Sequence, residues 1–490
     1  MSQDDSFPQT SHAQFEAAAV ALLLRDDSWA WTKFLFFCLA ILTAVTPDAY
    51  TLEQVLAVAR SHPFYERTIT SPPDLATVAQ LQDSKARRGD EALLKAQKPI
   101  CKRDLYKVIR RLVNDVDPKN TYRKGVYTSI TGGGHGGTPL FFATDVAENR
   151  RHRATFGRFL RATGVIDPSD WVLSTHCAGD LYRSLDLMLE VCENAGATAL
   201  ARGNVMSPAA ITRLLMSYHV NVLASNGSQI IQVVHHMSTL SPEERQHVRL
   251  DKIIYTSEVL TAAQRLHIRE TLGESVRICS VLGSAEAGPW AASNPDITGQ
   301  EATTSTVDFV YDTRHMLVEI LPASCAEDPV DTDELPDELP DGETGIIVQT
   351  SLCRLRNPLV VHDRRLSEAD WPHLRILRLE GRDSRFGFTW DGMCFEFEDV
   401  AAALNQEEFG VLQWQVVLYK MESSQEAGLD VRLLCSSAAG EARLDDRIRH
   451  FFNVDASNKH RFGIVRLDNL DGFERSATGR KVMKFIDRFG

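Results

Sequence analysis

The stretch VYTSITGGGHGGTPLFFATD, residues 126–145, is the strongest indication of the fold in this sequence. It opens with a β-prone run, 126–130, and continues into a glycine-rich loop, 131–139. Five of the eight residues from Thr131 to Thr138 are glycine, so backbone amides can converge on an anion without interference from Cβ atoms. A basic helix is predicted directly afterwards, over 145–163. The stretch therefore predicts a phosphate-binding loop within an α/β chain.

Two other kinds of nucleotide loop fit this stretch less well. Gly132, Gly134 and Gly137 match GxGxxG, but the predicted helix begins some eight residues past the last glycine. No Asp or Glu lies near the ribose position expected about 20 residues further on. The ATPase motif GxxxxGK[ST] does not occur in the sequence. A dinucleotide site and a flexible structural loop stay open beside the phosphate-binding interpretation.

Outward from the loop, helical and strand signals alternate. The segment 52–124 reads as helical and charged, interrupted by SHPFY at 61–65. Downstream, the spacing of apolar residues, caps and turns predicts helices over 184–194, 208–219 and 261–273 and strands over 220–224, 276–282, 345–350 and 374–379. The acidic, proline-containing segment 327–343 is predicted to be a solvated loop. Alternating helices and strands predict an α/β fold.

Composition excludes several classes of protein. The 490 residues are 43% hydrophobic and 24% charged, which is ordinary globular usage and excludes a fibrous or wholly disordered chain. With 53 Lys and Arg against 66 Asp and Glu, the net charge is −13, so we expect no binding to nucleic acid by bulk attraction. The nine cysteines are scattered without a CxxC pair, which favours a reducing compartment over a disulfide or zinc framework.

The N-terminal region contains one apolar run, FLFFCLAILTAV, at 34–45. Its 12 residues fall short of the roughly 20 that a membrane-spanning helix needs. We expect a buried helix here, with a membrane-facing or partner-facing helix as the alternative. No basic segment precedes an apolar stretch with a cleavage site, so no signal peptide is predicted. These observations predict a cytoplasmic protein without a membrane span.

Further motifs follow the glycine loop in a characteristic order. They are LGSAE at 282–286, PLVVHDRRL at 358–366, the pair Gly381-Arg382, and ERSATGRKVMKFIDR at 474–488. Together with the loop and SHPFY, this order resembles the adenylate-forming (ANL) superfamily, and within it the phenylacetate–CoA ligase-like enzymes. The likeness covers roughly residues 61–488. It implies a large N-terminal α/β domain, 1–380, that binds ATP and a carboxylate, and a small mobile C-terminal α+β lid domain, 381–490.

The resemblance also assigns roles to residues. Lys481 takes the position of the catalytic lysine, with Arg480 as the alternative register, and Glu286 takes the position of the Mg²⁺ ligand. The implied nucleotide-binding residues are Thr131, Gly132, Gly133, Gly134, His135, Gly136, Gly137, Thr138, Ser257, Glu258, Gly283, Ser284, Ala285, Asp363 and Arg382. The implied acyl-pocket residues are His176, Asp180, Tyr182, Asn226, Gly227, Ser228 and Trp290.

Three positions depart from the usual family pattern. Thr138 stands where the family has a lysine before the loop proline, and Leu282 stands where an aromatic residue packs on adenine. The segment containing Asp363, the residue expected at the ribose, is one residue shorter than the family's, and Arg365 is the alternative there.

The implied function is ATP-dependent activation of a carboxylic acid, aromatic or heteroaromatic, as an acyl-adenylate with release of pyrophosphate. Coenzyme A is the expected acceptor, and an amine that yields an amide is the alternative. ATP, Mg²⁺ and coenzyme A are thus the implied cofactors, and a homodimer is one possible assembly. Two other classes stay open: a degenerate homologue that binds a nucleotide or acyl-adenylate without turnover, and a dinucleotide oxidoreductase.

Overall fold

Local capping signals determine where the helices begin. In the computed structural model, the Asp145 carboxylate accepts hydrogen bonds from two backbone amides of the first turn of helix Val146–Ala162. Ser207 caps helix Pro208–Ser217 in the same way, with proline in its first turn. Thr261 completes a capping box at the start of a third helix. The sequence predicted these three helices, because each cap lies beside the turn that it stabilises.

The structure describes residues 49–83, 102–131, 140–179, 181–257, 259–298, 306–322, 336–353, 360–366, 368–369, 374–379, 387–391, 393–421, 426–436, 441–476 and 481–488. Several predictions lie outside these ranges. They are the apolar run 34–45, the loop residues 132–139 (including His135 and Thr138), Asp180, Glu258, the pair Gly381-Arg382, Arg480 and part of the acidic segment 327–343. The described part of that segment, 336–343, contains no helix or strand, as predicted.

Twelve α-helices are present in the described ranges, besides four short 3-10 helices. They are α1 Leu52–Ala59, α2 Leu75–Asp83, α3 Lys102–Asn114, α4 Val146–Ala162, α5 Ser184–Asn194, α6 Pro208–Ser217, α7 Gly227–Ser238, α8 Pro242–Arg245, α9 Ala262–Leu272, α10 Pro295–Thr298, α11 Phe397–Leu404 and α12 Glu441–Phe451. None of these described helices combines the length and the apolar character that crossing a bilayer requires.

The strands in the same ranges number twenty. They are β1 Val126–Ile130, β2 Phe141–Asp145, β3 Trp171–Ser174, β4 Thr198–Ala201, β5 Val222–Asn226, β6 Lys252–Thr256, β7 Arg277–Ser284, β8 Gly288–Ser293, β9 Val307–Asp312, β10 Met316–Leu321, β11 Gly345–Ser351, β12 Val360–Leu366, β13 Glu368–Ala369, β14 Leu374–Leu379, β15 Gly387–Trp390, β16 Met393–Glu396, β17 Val411–Lys420, β18 Ala427–Cys435, β19 Phe462–Arg466 and β20 Phe485–Arg488.

Several element boundaries differ from the prediction, and β7, for example, ends at Ser284 rather than at 282. Strand β5 begins and ends two residues later than expected, because Ser225 and Asn226 still pair with Tyr255 and Thr256 of β6 despite their polar side chains. Helix α6 ends at Ser217 rather than at 219, where a positive φ takes the backbone out of the helical region.

The central sheet has nine strands in the order β13-β14-β9-β8-β7-β6-β5-β3-β4. Strands β4, β3, β5, β6 and β7 run parallel, and β8, β9, β14 and β13 extend the sheet in antiparallel fashion. This mixed α/β sheet confirms the predicted fold class. The parallel half brings the carboxyl ends of its five strands to one side of the sheet, which is where α/β proteins bind ligands.

Three smaller sheets precede or flank the C-terminal one. Strands β1 and β2 form a hairpin, β10, β11 and β12 form an antiparallel sheet, and β15 pairs with β16. The C-terminal sheet has the order β19-β18-β17-β20, and a core rich in aromatic residues fills the space beneath helices α11 and α12. Residues from Asp48 to Gly490 form one compact unit, to which every described residue belongs. The proposed boundary at residues 380–381 stays a prediction.

Candidate active site

The carboxyl ends of β3, β5 and β6 bring polar side chains together. Ser174 ends β3, Asn226 ends β5 and Thr256 ends β6, and the three strands lie side by side in parallel. Ser174 and Asn226 are buried, and His176 follows β3 by two residues at 3% exposure. Polar groups that are buried at a strand end need partners, so their hydrogen bonds define the floor of the site.

His176 is the centre of this hydrogen-bonded floor. Its Nδ1 lies 3.1 Å from Ser174 Oγ, and its Nε2 lies 3.2 Å from Thr256 Oγ1. The ring therefore spans the end of β5 and joins β3 to β6. Burial lowers the pKa of His176 to about 4, with the positive charge of Lys481 as the second cause. At neutral pH one ring nitrogen donates and the other accepts, which fits two hydroxyl partners.

The turn after β6 holds its backbone in an unusual conformation. Ser257 has a φ of 74°, in the left-handed region that residues other than glycine seldom adopt. Its hydroxyl lies 3.3 Å from that of Thr256, so the hydrogen-bonded chain runs from Ser174 through His176 to Ser257. Strained residues of this kind collect at binding sites, where the surrounding structure holds them in place. Ser257 was expected to contact the nucleotide.

The turn from β7 to β8 contains the motif 282–286. A Cβ atom at Gly283 would lie 2.7 Å from the carbonyl oxygen of Gly288, so only glycine fits this close approach. The Ser284 hydroxyl accepts a hydrogen bond from the amide of Ala287 at 3.1 Å. Glu286 is buried, with 2% of its surface exposed. The turn thus holds one acidic side chain at the next strand end along the sheet from Thr256.

The SHPFY motif packs near this same turn. Phe64 is buried in a cluster with Tyr122 and Phe142, and Ala285 packs against that cluster. The Nδ1 atom of His62 accepts a hydrogen bond from the Phe64 amide at 3.2 Å, which shapes the interruption before α2. The motif therefore belongs to an apolar cluster that packs against the turn between β7 and β8.

The glycine loop connects β1 to β2, and the structure describes its two ends. The Thr131 amide donates to the Leu140 carbonyl at 3.0 Å, and the Leu140 amide donates to Thr131 Oγ1 at 2.8 Å. This pair closes the base of the loop. The Thr131 hydroxyl proton remains as a donor, because that hydrogen bond uses only an acceptor lone pair.

Lys481 lies on a hairpin that precedes β20. The Ser476 amide donates to the Lys481 carbonyl at 2.8 Å, and the Lys481 amide donates to Ser476 Oγ at 3.2 Å. Arg475 and Val482 form an antiparallel bridge beside them. The ammonium group of Lys481 lies within electrostatic range of His176. The positive charge on this hairpin therefore acts on the histidine that joins the strand ends of the central sheet.

A neighbouring cation, Lys484, is held elsewhere. Its Nζ donates to Gln413 Oε1 and lies 4.4 Å from the centre of the Trp414 ring. A cation over an aromatic face is electrostatically stabilised. Of these two lysines, Lys481 is the one whose charge acts on His176.

Helix α7 carries three of the expected acyl-pocket residues at its start. Asn226 caps the helix by accepting from the Gln229 amide at 2.9 Å, and Gly227 is its first residue. The Ser228 hydroxyl accepts from Gln413 Nε2 at 3.0 Å, so Ser228 contacts strand β17. These residues join the C-terminal sheet to the floor of the site.

The remaining candidates lie in varied surroundings. The amide of Tyr182 donates to the Gly179 carbonyl at 2.7 Å in the loop after β3. Trp290 is buried against Tyr311, with ring centres 5.7 Å apart, and lines a small cleft beside α4. Leu282 belongs to the same buried cluster as Trp290. Asp363 lies on β12, which pairs with β11.

No individual role was predicted from the sequence for four residues that the structure places at or near the site: Ser174, Thr256, Gln413 and Gln415. The two hydroxyl residues sit at strand ends, which was a usable signal. Gln413 and Gln415 alternate in the otherwise apolar segment VLQWQVVL, residues 411–418, and both are buried. Polar residues on an apolar strand signal specific hydrogen-bond partners.

Comparison with known proteins gives one curated relative. Over 168 residues, 33% of this chain and 39% of the relative, the chain is 27% identical to the indoleacetate–lysine synthetase of Pseudomonas savastanoi. The match thus spans about two fifths of that relative's length. No family model matches the chain.

Solved structures match over most of the chain. A 2-hydroxyisobutyryl-CoA ligase in the postadenylation state, in complex with 2-HIB-AMP, gives a TM-score of 0.60 at 18% identity, covering 89% of this chain and 88% of that one. The same ligase with 2-HIB-AMP and CoA in the thioesterification state gives 0.52, with the same identity and coverage. The chain therefore has the fold of the acyl-CoA ligases of the adenylate-forming superfamily.

Proposed function

We propose that this protein is an ATP-dependent, AMP-forming carboxylate ligase. A carboxylate oxygen attacks the α-phosphorus of ATP, the bond to the β-phosphate breaks, and pyrophosphate leaves. An acceptor then attacks the acyl carbonyl of the adenylate, and AMP leaves. The observation that carries the proposal is the packing of the Lys481 hairpin against the central sheet, where Val482 lies in one buried cluster with Leu173 of β3 and Ile253 of β6, the strands that His176 joins at their carboxyl ends.

Positioning and electrostatics account for the chemistry of the first step, since the protein forms no covalent bond to either substrate. Lys481 supplies positive charge for the negative charge that develops between the carboxylate and the α-phosphate. His176 is neutral at pH 7 because burial keeps its pKa at about 4. It therefore adds no second cation there, and it holds the Thr256 hydroxyl in a fixed direction.

The phosphates of ATP need hydrogen-bond donors. We assign this role to the glycine loop, whose base Thr131 closes. Ser257 follows β6, Gly283 and Ser284 end β7, and Ala285 follows β7. These four residues would line the nucleotide. Glu258, Asp363 and Arg382 keep the nucleotide-binding roles that the family resemblance implies.

A divalent cation is part of the proposal, and Glu286 fits it. A buried carboxylate is a hard oxygen ligand of the kind that Mg²⁺ prefers. Bound there, Mg²⁺ would neutralise phosphate charge. Glu286 would hold the ion beside the strand ends while Lys481 acts from the hairpin.

The acid is proposed to be aromatic or heteroaromatic. The support is the relative's name, which specifies indoleacetate as its acid. Coenzyme A is the first proposed acceptor, because the ligase with the same fold is named for a CoA thioester. An amine is the second, because the same relative is named as a lysine synthetase.

Acid-dependent exchange of pyrophosphate into ATP tests the proposal. The full chain is assayed with a panel of aryl, heteroaryl, fatty and amino acids. Exchange with at least one acid is the expected result, and its dependence on the acid identifies the substrate class. ATP binding without exchange over the whole panel would favour the degenerate homologue. Absence of both would overturn the assignment.

The acceptor is then identified with the active acid. Coenzyme A and free amino acids, lysine included, are added in separate reactions, and the products are separated by mass. A thioester supports the first proposed acceptor, and an amide supports the second. Formation of neither, with rapid exchange, would contradict both acceptors.

A further inference from the structure

The hairpin that carries Lys481 has two short arms, Glu474–Ser476 and Lys481–Met483. Across them, the Met483 amide donates to the Glu474 carbonyl at 3.0 Å, in addition to the two hydrogen bonds between Ser476 and Lys481. Three hydrogen bonds alone hold a short hairpin weakly in water. Its orientation relative to the site must therefore come from tertiary contacts.

Gln415 of β17 supplies contacts to both arms at once. Its Nε2 donates to the Glu474 carbonyl at 2.9 Å and to the Met483 carbonyl at 2.7 Å. Its Oε1 accepts from the Glu474 amide at 3.2 Å and from an Arg432 guanidinium nitrogen at 3.3 Å. Both donor hydrogens and both acceptor lone pairs of this amide are thus used.

Burial makes these contacts matter for the position of the hairpin. Gln415 is 0% exposed, so water cannot replace a lost partner on either arm. A buried carbonyl or amide without a partner is costly, which ties the two arms to one arrangement. On the rim, Glu474 pairs with Arg488 and lies 4.0 Å from Arg432.

The other side of the hairpin packs against the large sheet's helices. Val482, next to Lys481, is buried in one cluster with Ile230 and Val234 of α7 and Ile268 of α9. The hairpin is therefore held between β17 and the helices behind the strand ends. Val482 contributes apolar packing on one side of the hairpin, and Gln415 contributes hydrogen bonds on the other.

Resting on the proposed function, we propose that Gln415 is a positioning residue for Lys481: it orients the hairpin so that the ammonium group reaches the acyl-adenylate-forming site. Gln415 itself contacts no substrate. Its loss would leave ATP binding in place while misdirecting the lysine that stabilises the reaction's developing charge. A misplacement of about 1 Å costs on the order of 100-fold in rate.

Two substitutions test this role. Gln415→Met keeps the length of the side chain and removes all four hydrogen bonds. Gln415→Glu keeps the acceptor oxygen but places a second oxygen against the carbonyls of Glu474 and Met483. Protonation lets that oxygen donate again, and burial raises the pKa of such a carboxyl. Gln349→Met is the matched control, because Gln349 is a buried glutamine of β11 in another sheet.

Activity is read as exchange kinetics over a pH series. We expect Gln415→Met to lower kcat for exchange by about 10- to 100-fold. The KM for ATP should change by less than about two-fold, because uniform binding is retained. For Gln415→Glu, the rate relative to the parent should rise as pH falls from about 8 to about 6. Gln349→Met should match the parent in both respects.

Hydrogen exchange by mass spectrometry follows the hairpin independently of activity. Peptides covering 474–483 should exchange faster in both Gln415 variants, while peptides from β18 stay protected. Two results would overturn the proposal. One is unchanged protection of the hairpin amides, and the other is faster hydrogen exchange of these amides with an unchanged kcat for pyrophosphate exchange. If the parent protein shows no pyrophosphate exchange, the proposed function fails. The hydrogen-exchange pattern then still shows whether Gln415 holds the hairpin in place. If Gln415→Met does not fold, Gln415→Glu at low pH decides.

Discussion

The positive charge of Lys481 acts on the buried imidazole of His176, although Lys481 lies on the hairpin before β20 and His176 lies in the loop after β3. Burial, and then the charge of Lys481, keeps the pKa of His176 at about 4. In the described part of the site, the positive charge of Lys481 therefore acts on a neutral, hydrogen-bonded floor. This arrangement suits a reaction in which two anions, a carboxylate and a phosphate, must approach each other.

Replacing the lysine tests its role directly. Lys481→Ala should lower acid-dependent pyrophosphate exchange by about 100-fold or more, because loss of one charge-stabilising donor has that effect in other enzymes. Lys420→Ala, at an exposed position at the end of β17, is the matched control and should keep the parent's rate. Arg480→Ala tests the register. A loss of exchange in that variant, but not in Lys481→Ala, would transfer the role to Arg480.

Glu286→Gln should raise the Mg²⁺ concentration needed for half-maximal exchange. The amide keeps the shape of the side chain and removes the negative charge that a hard cation prefers. The measurement is a Mg²⁺ titration of exchange at saturating ATP. Glu148→Gln serves as control, since Glu148 is also buried but lies on α4, where it accepts from the Tyr50 hydroxyl. Equal titrations for the Glu286 variant and the parent would remove Glu286 from the proposed metal site.

Sequence patterns predicted those parts of the fold that depend on neighbouring residues. Asp145, Ser207 and Thr261 each cap the helix that immediately follows, so the cause lies within one turn of the effect. The alternation of helices and strands was sufficient for the α/β class.

Contacts between distant segments were beyond such reasoning. Nothing near His176 indicates that its ring bonds to Thr256, because the parallel crossovers of the sheet create that neighbour. Gln415 gave a signal in the form of a polar residue within an apolar strand, but its partners Glu474 and Met483 follow only from the pairing of β17 with β20. Long-range pairing is set by topology, which local patterns leave open.

An ion pair at the amino ends of the strands in the central sheet leads to a prediction about stability alone. Lys252 is buried at 1% exposure and contacts Asp170 at 2.5 Å and Asp167 at 2.6 Å. Asp170→Asn removes the buried partner and should lower the free energy of unfolding by about 3 kcal/mol, because a buried charge loses compensation. Urea unfolding measures this loss. Lys252→Met with Asp170→Asn should recover part of it, and a double variant no better than the single one would contradict the argument.

The low pKa of His176 makes folding stability depend on pH. The folded-state value of about 4 lies below the ordinary value of 6.5, so the unfolded chain binds more protons between these two values. Stability is therefore lost as pH falls from 6.5 to 4, by up to about 3 kcal/mol for this residue. His176→Asn removes the titrating group, so its unfolding free energy should fall less steeply than the parent's over that range.

Urea unfolding at a series of pH values measures both slopes. At pH 7 His176→Asn should be less stable than the parent, since Ser174 and Thr256 lose a shared partner. Below pH 6.5 the two curves should converge, because only the parent loses unfolding free energy by keeping His176 unprotonated in the folded state. His247→Asn, at an exposed position on the surface, is the control and should follow the parent. Parallel curves for His176→Asn and the parent would show that His176 has the same pKa in the folded and unfolded states. That result would contradict the burial of His176 in the hydrogen-bonded floor.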